Sequence, residues 1–260
     1  TRRCRSAVIK ILIMLKTRKK IKKWLHSQGV KNYTIRRNGI VDIHEFFILK
    51  GNIKKLPIQF GISSGHAFSC AKSKLKTLEG CPYKVMGNFI CVESELTSLK
   101  GCPKYVGGYF DCGDNLLETL QYCPKYVGQD FYCCNNKLIS LNYCPEIIYR
   151  CFICNDNNLV SLKGGPHIVW KQYICRNNKL KSFDGLPFII GRLLSIENNN
   201  IKEDELINFY TLVGSDVSSD LTKNNENFFE KIKIIKKISK EKEILQLKIS
   251  YSSELKRKRL

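Results

Sequence analysis

Apolar residues in the centre of this chain recur at a fixed step of 21 positions. Phe68, Phe89, Phe110, Phe131, Phe152, Tyr173 and Leu194 form one row, and Leu75, Leu96, Leu117, Leu138, Leu159, Leu180 and Ile201 form a second. Leu78, Leu99, Leu120, Leu141, Leu162 and Phe183 make a third. One unit reads F-x-C-x-x-N-x-L-x-x-L-x-G-C-P-x-x-V-x-G-x, and a period of this length with leucines at its centre is the signature of a leucine-rich repeat. A single unit cannot bury its own apolar face, so neighbours must stack and share a continuous core. Side chains alternate across a strand, which sends Phe110 and Cys112 inward and Asp111 outward. The Asn row that follows, Asn115, Asn136, Asn157, Asn178 and Asn199, suits turns whose backbone groups need partners. Ser73 and Ser94 stand there in the first two units and predict a less regular N-terminal edge.

These rows predict an α/β solenoid, a leucine-rich repeat with a short parallel strand per 21-residue repeat, flanked by terminal helices. Five segments follow: a basic N-terminal helical arm over 1–40, an N-terminal cap over 41–66, repeats over 67–201, a C-terminal cap over 202–222, and a basic C-terminal helix and tail over 223–260. Residues 7–27 read as helical, and "EDELINFYTLVG" reads as a helix closing the open end of the core.

The run "WLHSQGVKNYTIRRNGIVDI", followed by "LPIQFG" and by repeats ending L-x-x-L-x-G-C-P-x-x-V-G-G, resembles a family of leucine-rich-repeat proteins found widely in large tailed phages and other AT-rich genomes. The resemblance covers Trp24 to Asp220 and implies the repeat fold, with no defined reaction. The chain departs from that family in its basic extensions and in the degenerate repeats around Gly165 and Leu186.

Cysteine is abundant, with 13 residues, but ten of them obey the repeat: Cys70, Cys91, Cys112, Cys133, Cys154 and Cys175 in one series, Cys81, Cys102, Cys123 and Cys144 in the other. A buried thiol behaves as a small hydrophobe, so these read as a core spine rather than a metal site or disulfide framework. Zinc favours close pairs, and the one C-x2-C pair, Cys151 and Cys154, falls on opposite faces of a strand. Cys134 and Cys151 are expected on the concave surface. Some bacterial effectors with such repeats use a Cys-x-Asp nucleophile, and Cys112–Asp114 and Cys154–Asp156 match those letters, but inside the repeat. His26, His44, His66 and His167 are scattered, and no phosphate-cradling glycine loop is present, so no enzyme and no cofactor are expected.

Charge changes the picture. The formal charge is +21, divided as +13 over residues 1–41, +1 over 42–222 and +7 over 223–260. Lys16, Arg18, Lys19, Lys20, Lys22, Lys23, Lys31, Arg36 and Arg37 crowd around Trp24 and Tyr33, a mixture of cations and stackable rings suited to a nucleic-acid backbone. Lys256, Arg257, Lys258 and Arg259 form a basic tail that would follow RNA or act as an import signal. An amphipathic basic helix on a membrane surface is the competitor. The longest apolar run, "AVIKILIML", falls short of a bilayer span.

The outward row Ile90, Asp111, Tyr132, Ile153 and Ile174 is mixed and not basic, and reads either as a protein-binding groove or as a partly covered sheet with scattered apolar residues. Together these features point to a structural component of a large ribonucleoprotein, foremost an organellar ribosome in the mitochondrial matrix. Its partners would be ribosomal RNA and neighbouring proteins. The alternative is a viral or effector-type interaction adaptor in the cytoplasm that uses the concave face. An acid-free basic N-terminus also resembles organelle-targeting composition.

Overall fold

A computed structural model of the chain describes residues 17–201 together with strand residues 212–213 and 216–218. Lys16, Lys256 to Arg259, the helix expected before residue 17 and the segment 223–260 lie outside the described residues.

The chain winds into a β-solenoid of about seven turns, one per 21-residue repeat. The F-x-C segments pair in parallel as a nine-stranded long sheet. Its strands are β3 (Phe47–Ile48), β5 (Ala67–Ser69), β7 (Asn88–Ile90), β9 (Phe110–Asp111), β11 (Phe131–Tyr132), β13 (Phe152–Ile153), β15 (Gln172–Ile174), β17 (Leu193–Ser195) and β19 (Asp216–Ser218). Register advances by one repeat per strand, so Phe89 pairs with Phe68 and Phe110, and Phe131 with Phe110 and Phe152. Like side chains therefore stack. The rings from Phe47 through Phe68, Phe89, Phe110, Phe131 and Phe152 to Tyr173 form a buried column with successive centroids 4.5–6.1 Å apart.

Each repeat contributes a second strand where one was expected. The V of P-x-x-V points inward, as Val85, Val106, Val127, Ile148, Val169 and Ile190, all buried, and these segments line a second side of the coil. This flank comprises β1 (Tyr33–Ile35), β2 (Val41–Ile43), β4 (Phe60–Ser63), β6 (Lys84–Val85), β8 (Tyr105–Val106) and β10 (Tyr126–Val127), then β12 (Ile147–Ile148), β14 (Ile168–Val169), β16 (Ile189–Ile190) and β18 (Leu212–Val213). The chain turns from flank to long sheet at corners of tight approach: a Cβ on Gly107 would lie 2.1 Å from the Met86 carbonyl oxygen of the preceding turn. Among the described residues no repeat contains a helix, so the expected α/β character reduces to the single helix α1 at residues 17–27.

Buried backbone groups between the turns are answered by the Asn ladder. Asn136 donates through Nδ2 to the carbonyls of Cys112 (3.0 Å), Cys133 (3.3 Å) and Cys134 (3.0 Å), while its Oδ1 accepts from the Leu117 N–H (3.0 Å). Asn115, Asn157 and Asn178 repeat the set. Ser94 is a partial substitute in the second unit, its single hydroxyl proton lying within reach of both the Cys70 carbonyl (3.0 Å) and the Val92 carbonyl (2.9 Å).

At the N-terminal end, α1 buries Ile21 and Leu25 and lays Trp24 against Phe60, with ring centroids 6.1 Å apart. The helix stops at Gly29 (φ +83°), where the Val30 N–H returns to the Leu25 carbonyl at 3.0 Å. β1 and β2 then form an antiparallel hairpin, and β2 pairs in parallel with β4, so the coil begins at Val41. Residues 17–40, read as part of a basic arm, are thus packed as the cap of the solenoid. At the other end β18 and β19 continue both sides of the coil, so part of the segment read as a capping helix, at 212–213, is strand; the rest of that helix lies outside the described residues.

Candidate functional site

Three surfaces present chemistry. The first is the N-terminal cap. Lys19, Lys20, Lys22 and Lys23 project from α1 and are exposed, as are Lys31 and Arg37, and none forms an ion pair with a described residue. Four other residues expected to bind RNA have partners within the cap. Arg36 holds Asp42 through Nε (2.7 Å) and Nη2 (2.8 Å), and Arg18 donates to the Ile35 carbonyl at 2.9 Å. Trp24 and Tyr33 are half-buried against the core, and the Tyr33 hydroxyl lies 3.4 Å from His26 Nε2. Their rings belong to the seal of the solenoid, because the end of a stacked core needs apolar cover more than it needs free aromatic faces. Burial alone pushes the Asp42 carboxyl up, but hydrogen bonds from Arg36 and the Ile62 N–H, with the Arg36 charge, bring it below the usual carboxylate value.

The second surface is the long-sheet face. Ile90, Asp111, Tyr132, Ile153 and Ile174 stand on it as expected, yet all five are half-buried, and Ser69 and Ser195 at its ends are buried. Neighbours one strand spacing apart cover one another, about 4.8 Å away. Tyr109 packs edge-on to Tyr132 at 6.0 Å. Burial raises the Asp111 carboxyl above its ordinary value and holds the Tyr132 phenol near 12. No strand of this sheet contains Lys or Arg.

The third surface is the flank, where sequence reasoning placed nothing. Residues before the inward V row point outward: Lys84, Tyr105, Tyr126, Ile147, Ile168 and Ile189. Tyr105 and Tyr126 stack with centroids 4.8 Å apart and planes 7° from parallel, and the Lys84 ammonium sits 4.8 Å over Tyr105. Tyr149 continues the series 5.8 Å from Tyr126, and Trp170 follows one turn on, 51% exposed. The signal that would have found this surface is the V row itself, since its period fixes which neighbour faces out.

Between the two sheets, near the N-terminal turns, runs a groove of ≈ 560 Å³ lined by His44, His66, Asn88, Tyr109 and Gln129 among others. His44 is already engaged, with Nε2 2.9 Å from Thr34 Oγ1 and Nδ1 3.0 Å from Ser64 Oγ.

The thiol rows are core. Cys112 and Cys154 are fully buried, and burial drives both thiols well above the ordinary range, the reverse of an activated nucleophile. Cys134 and Cys151 reach the long-sheet face half-exposed, as expected, with Cys134 pushed up to about 11 by burial and then by the Asp111 and Asp114 charges. Among the described residues no cluster of His, Cys, Asp or Glu could hold a metal ion, and no helix is long and apolar enough to cross a membrane.

Comparison with protein-family models, with curated proteins and with solved structures found no match to this chain.

Proposed function

We propose that this chain is a non-enzymatic structural component of a large ribonucleoprotein, with a mitochondrial ribosome the assembly the reading fits best. It grips RNA through its basic ends, and neighbouring proteins meet the long-sheet face, whose strands carry no Lys or Arg. The observation that carries the reading is the division of labour on α1. Ile21 and Leu25 do the folding work, while Lys19, Lys20, Lys22 and Lys23 face solvent with no carboxylate partner among the described residues. Backbone neutralisation by such cations releases counterions and makes affinity fall with salt. The assembly itself is inferred from basicity and from the Ile, Lys and Asn richness expected of an AT-rich coding source.

Binding of the full chain to structured RNA is therefore expected to weaken steeply between low and physiological salt. Replacing the four α1 lysines by Ala should flatten the slope of log K against log salt by about 3. Salt-independent binding, or migration of the native protein as a free monomer without RNA in a source extract, would overturn the reading.

A further inference from the structure

The flank separates charge in a way that the near-neutral body conceals. On the leucine side of the coil several cations are matched, Lys74 and Lys76 with Glu95, Lys100 with Glu79 and Lys163 with Asp184, while Lys137, Lys179 and Lys181 are exposed with no ion pair among the described residues. On the flank Lys104, Lys125 and Lys171 are exposed and have no carboxylate partner among the described residues. Arg150, which reaches the buried Asp130 at 3.6 Å, and Arg192 share the repeat position of Lys171 after each strand, whereas Lys104 and Lys125 precede theirs in a column that Glu146 continues as an exposed acid.

Between the cations lie Tyr105, Tyr126, Tyr149 and Trp170, one ring on each of four consecutive turns. An apolar protein partner would be served by the rings alone, and a duplex by the cations alone. Rings bordered by cations, before the strand at Tyr105 and Tyr126 and after it at Tyr149 and Trp170, match a nucleic acid whose bases are free to stack while its phosphates are neutralised.

We propose that the flank is a platform for single-stranded nucleic acid, RNA in the reading above on which this inference rests. The rings stack with bases, and Lys104, Lys125, Arg150 and Lys171 pair with phosphates. Across the four turns from β8 to β14 the platform runs about 14 Å at the strand spacing, room for about four stacked nucleotides. The site is separate from α1, so the two surfaces can be tested independently.

The test uses the full chain carrying Trp24→Phe, so that Trp170 is the only remaining indole. It uses an oligouridylate of about ten nucleotides and a hairpin duplex as probes. Trp170 emission should be quenched on titration with the single strand and not with the duplex. Tyr126→Leu and Trp170→Leu, which keep apolar bulk, should each lower single-strand affinity about tenfold and leave duplex binding unchanged. Lys104→Ala with Lys125→Ala should weaken binding and reduce its salt dependence, and circular dichroism should show all variants folded.

If the ring variants bind the single strand as the parent does, with Trp170 unquenched, while the α1 lysine variant loses RNA, the platform is wrong and the ribonucleoprotein reading stands. If neither probe binds at low salt, both fall. Salt-insensitive capture of an apolar peptide by the rings would assign the flank to a protein and overturn the proposal.

Discussion

Asn136 illustrates what a residue does here that its neighbours cannot. Its amide closes one N–H and three carbonyls belonging to two successive turns, all in the interior. Asn136→Ala leaves those groups without partners and should cost about 3 kcal/mol in urea unfolding. Asn136→Ser should cost less, since Ser94 occupies the same place in an earlier turn and reaches two carbonyls. The role of this row was readable from the sequence, because a polar residue held in step with buried leucines must be answering the backbone. The roles of Trp24 and Arg36 were not. Both sit among cations in the chain, and only the three-dimensional cap shows that Phe60 and Asp42 claim them.

At the scale of elements, the cap hairpin is clipped by the Arg36–Asp42 pair, with Asp42 Oδ1 also accepting from the Ile62 N–H of β4 at 2.7 Å. The carboxyl is held below its unfolded value of 3.8. A depressed folded value means that the proton binds the unfolded chain more tightly, so the contribution is complete above the unfolded value and is lost as pH falls through the folded one. Asp42→Asn should lower stability by about 2 kcal/mol near neutrality and by progressively less towards pH 2, measured by denaturant unfolding across that range. The long-sheet strands were legible because F-x-C alternates around a conserved step within the chain. The flank strands were missed because P-x-x-V presents one inward residue per repeat, without the second inward residue that makes F-x-C alternate. What makes them strands is pairing with the turns before and after, a tertiary cause that local pattern does not contain.

At the scale of the whole molecule, the coil has sides of different character: a long-sheet face free of cations in its strands, a leucine side that carries several ion pairs, and a flank of rings bordered by cations. The sequence divides charge between ends and middle, and this division along the chain hides the division around it. A residue's side of the coil depends on its place within the repeat, which a sum over a segment averages away.

The constant register gives the coil the property of a ruler. Each turn adds one strand spacing, about 4.8 Å, to every face at once and asks nothing new of the turns beside it. Length is therefore graduated in whole units, and gene duplication of 21 residues is its natural increment. A variant carrying a second copy of residues 102–122 should fold with one more turn, bringing a further Lys104 and Tyr105 into line. Its single-strand footprint should then lengthen by one to two nucleotides, about 4.8 Å divided by a stacked rise of about 3.4 Å, which nuclease protection would measure.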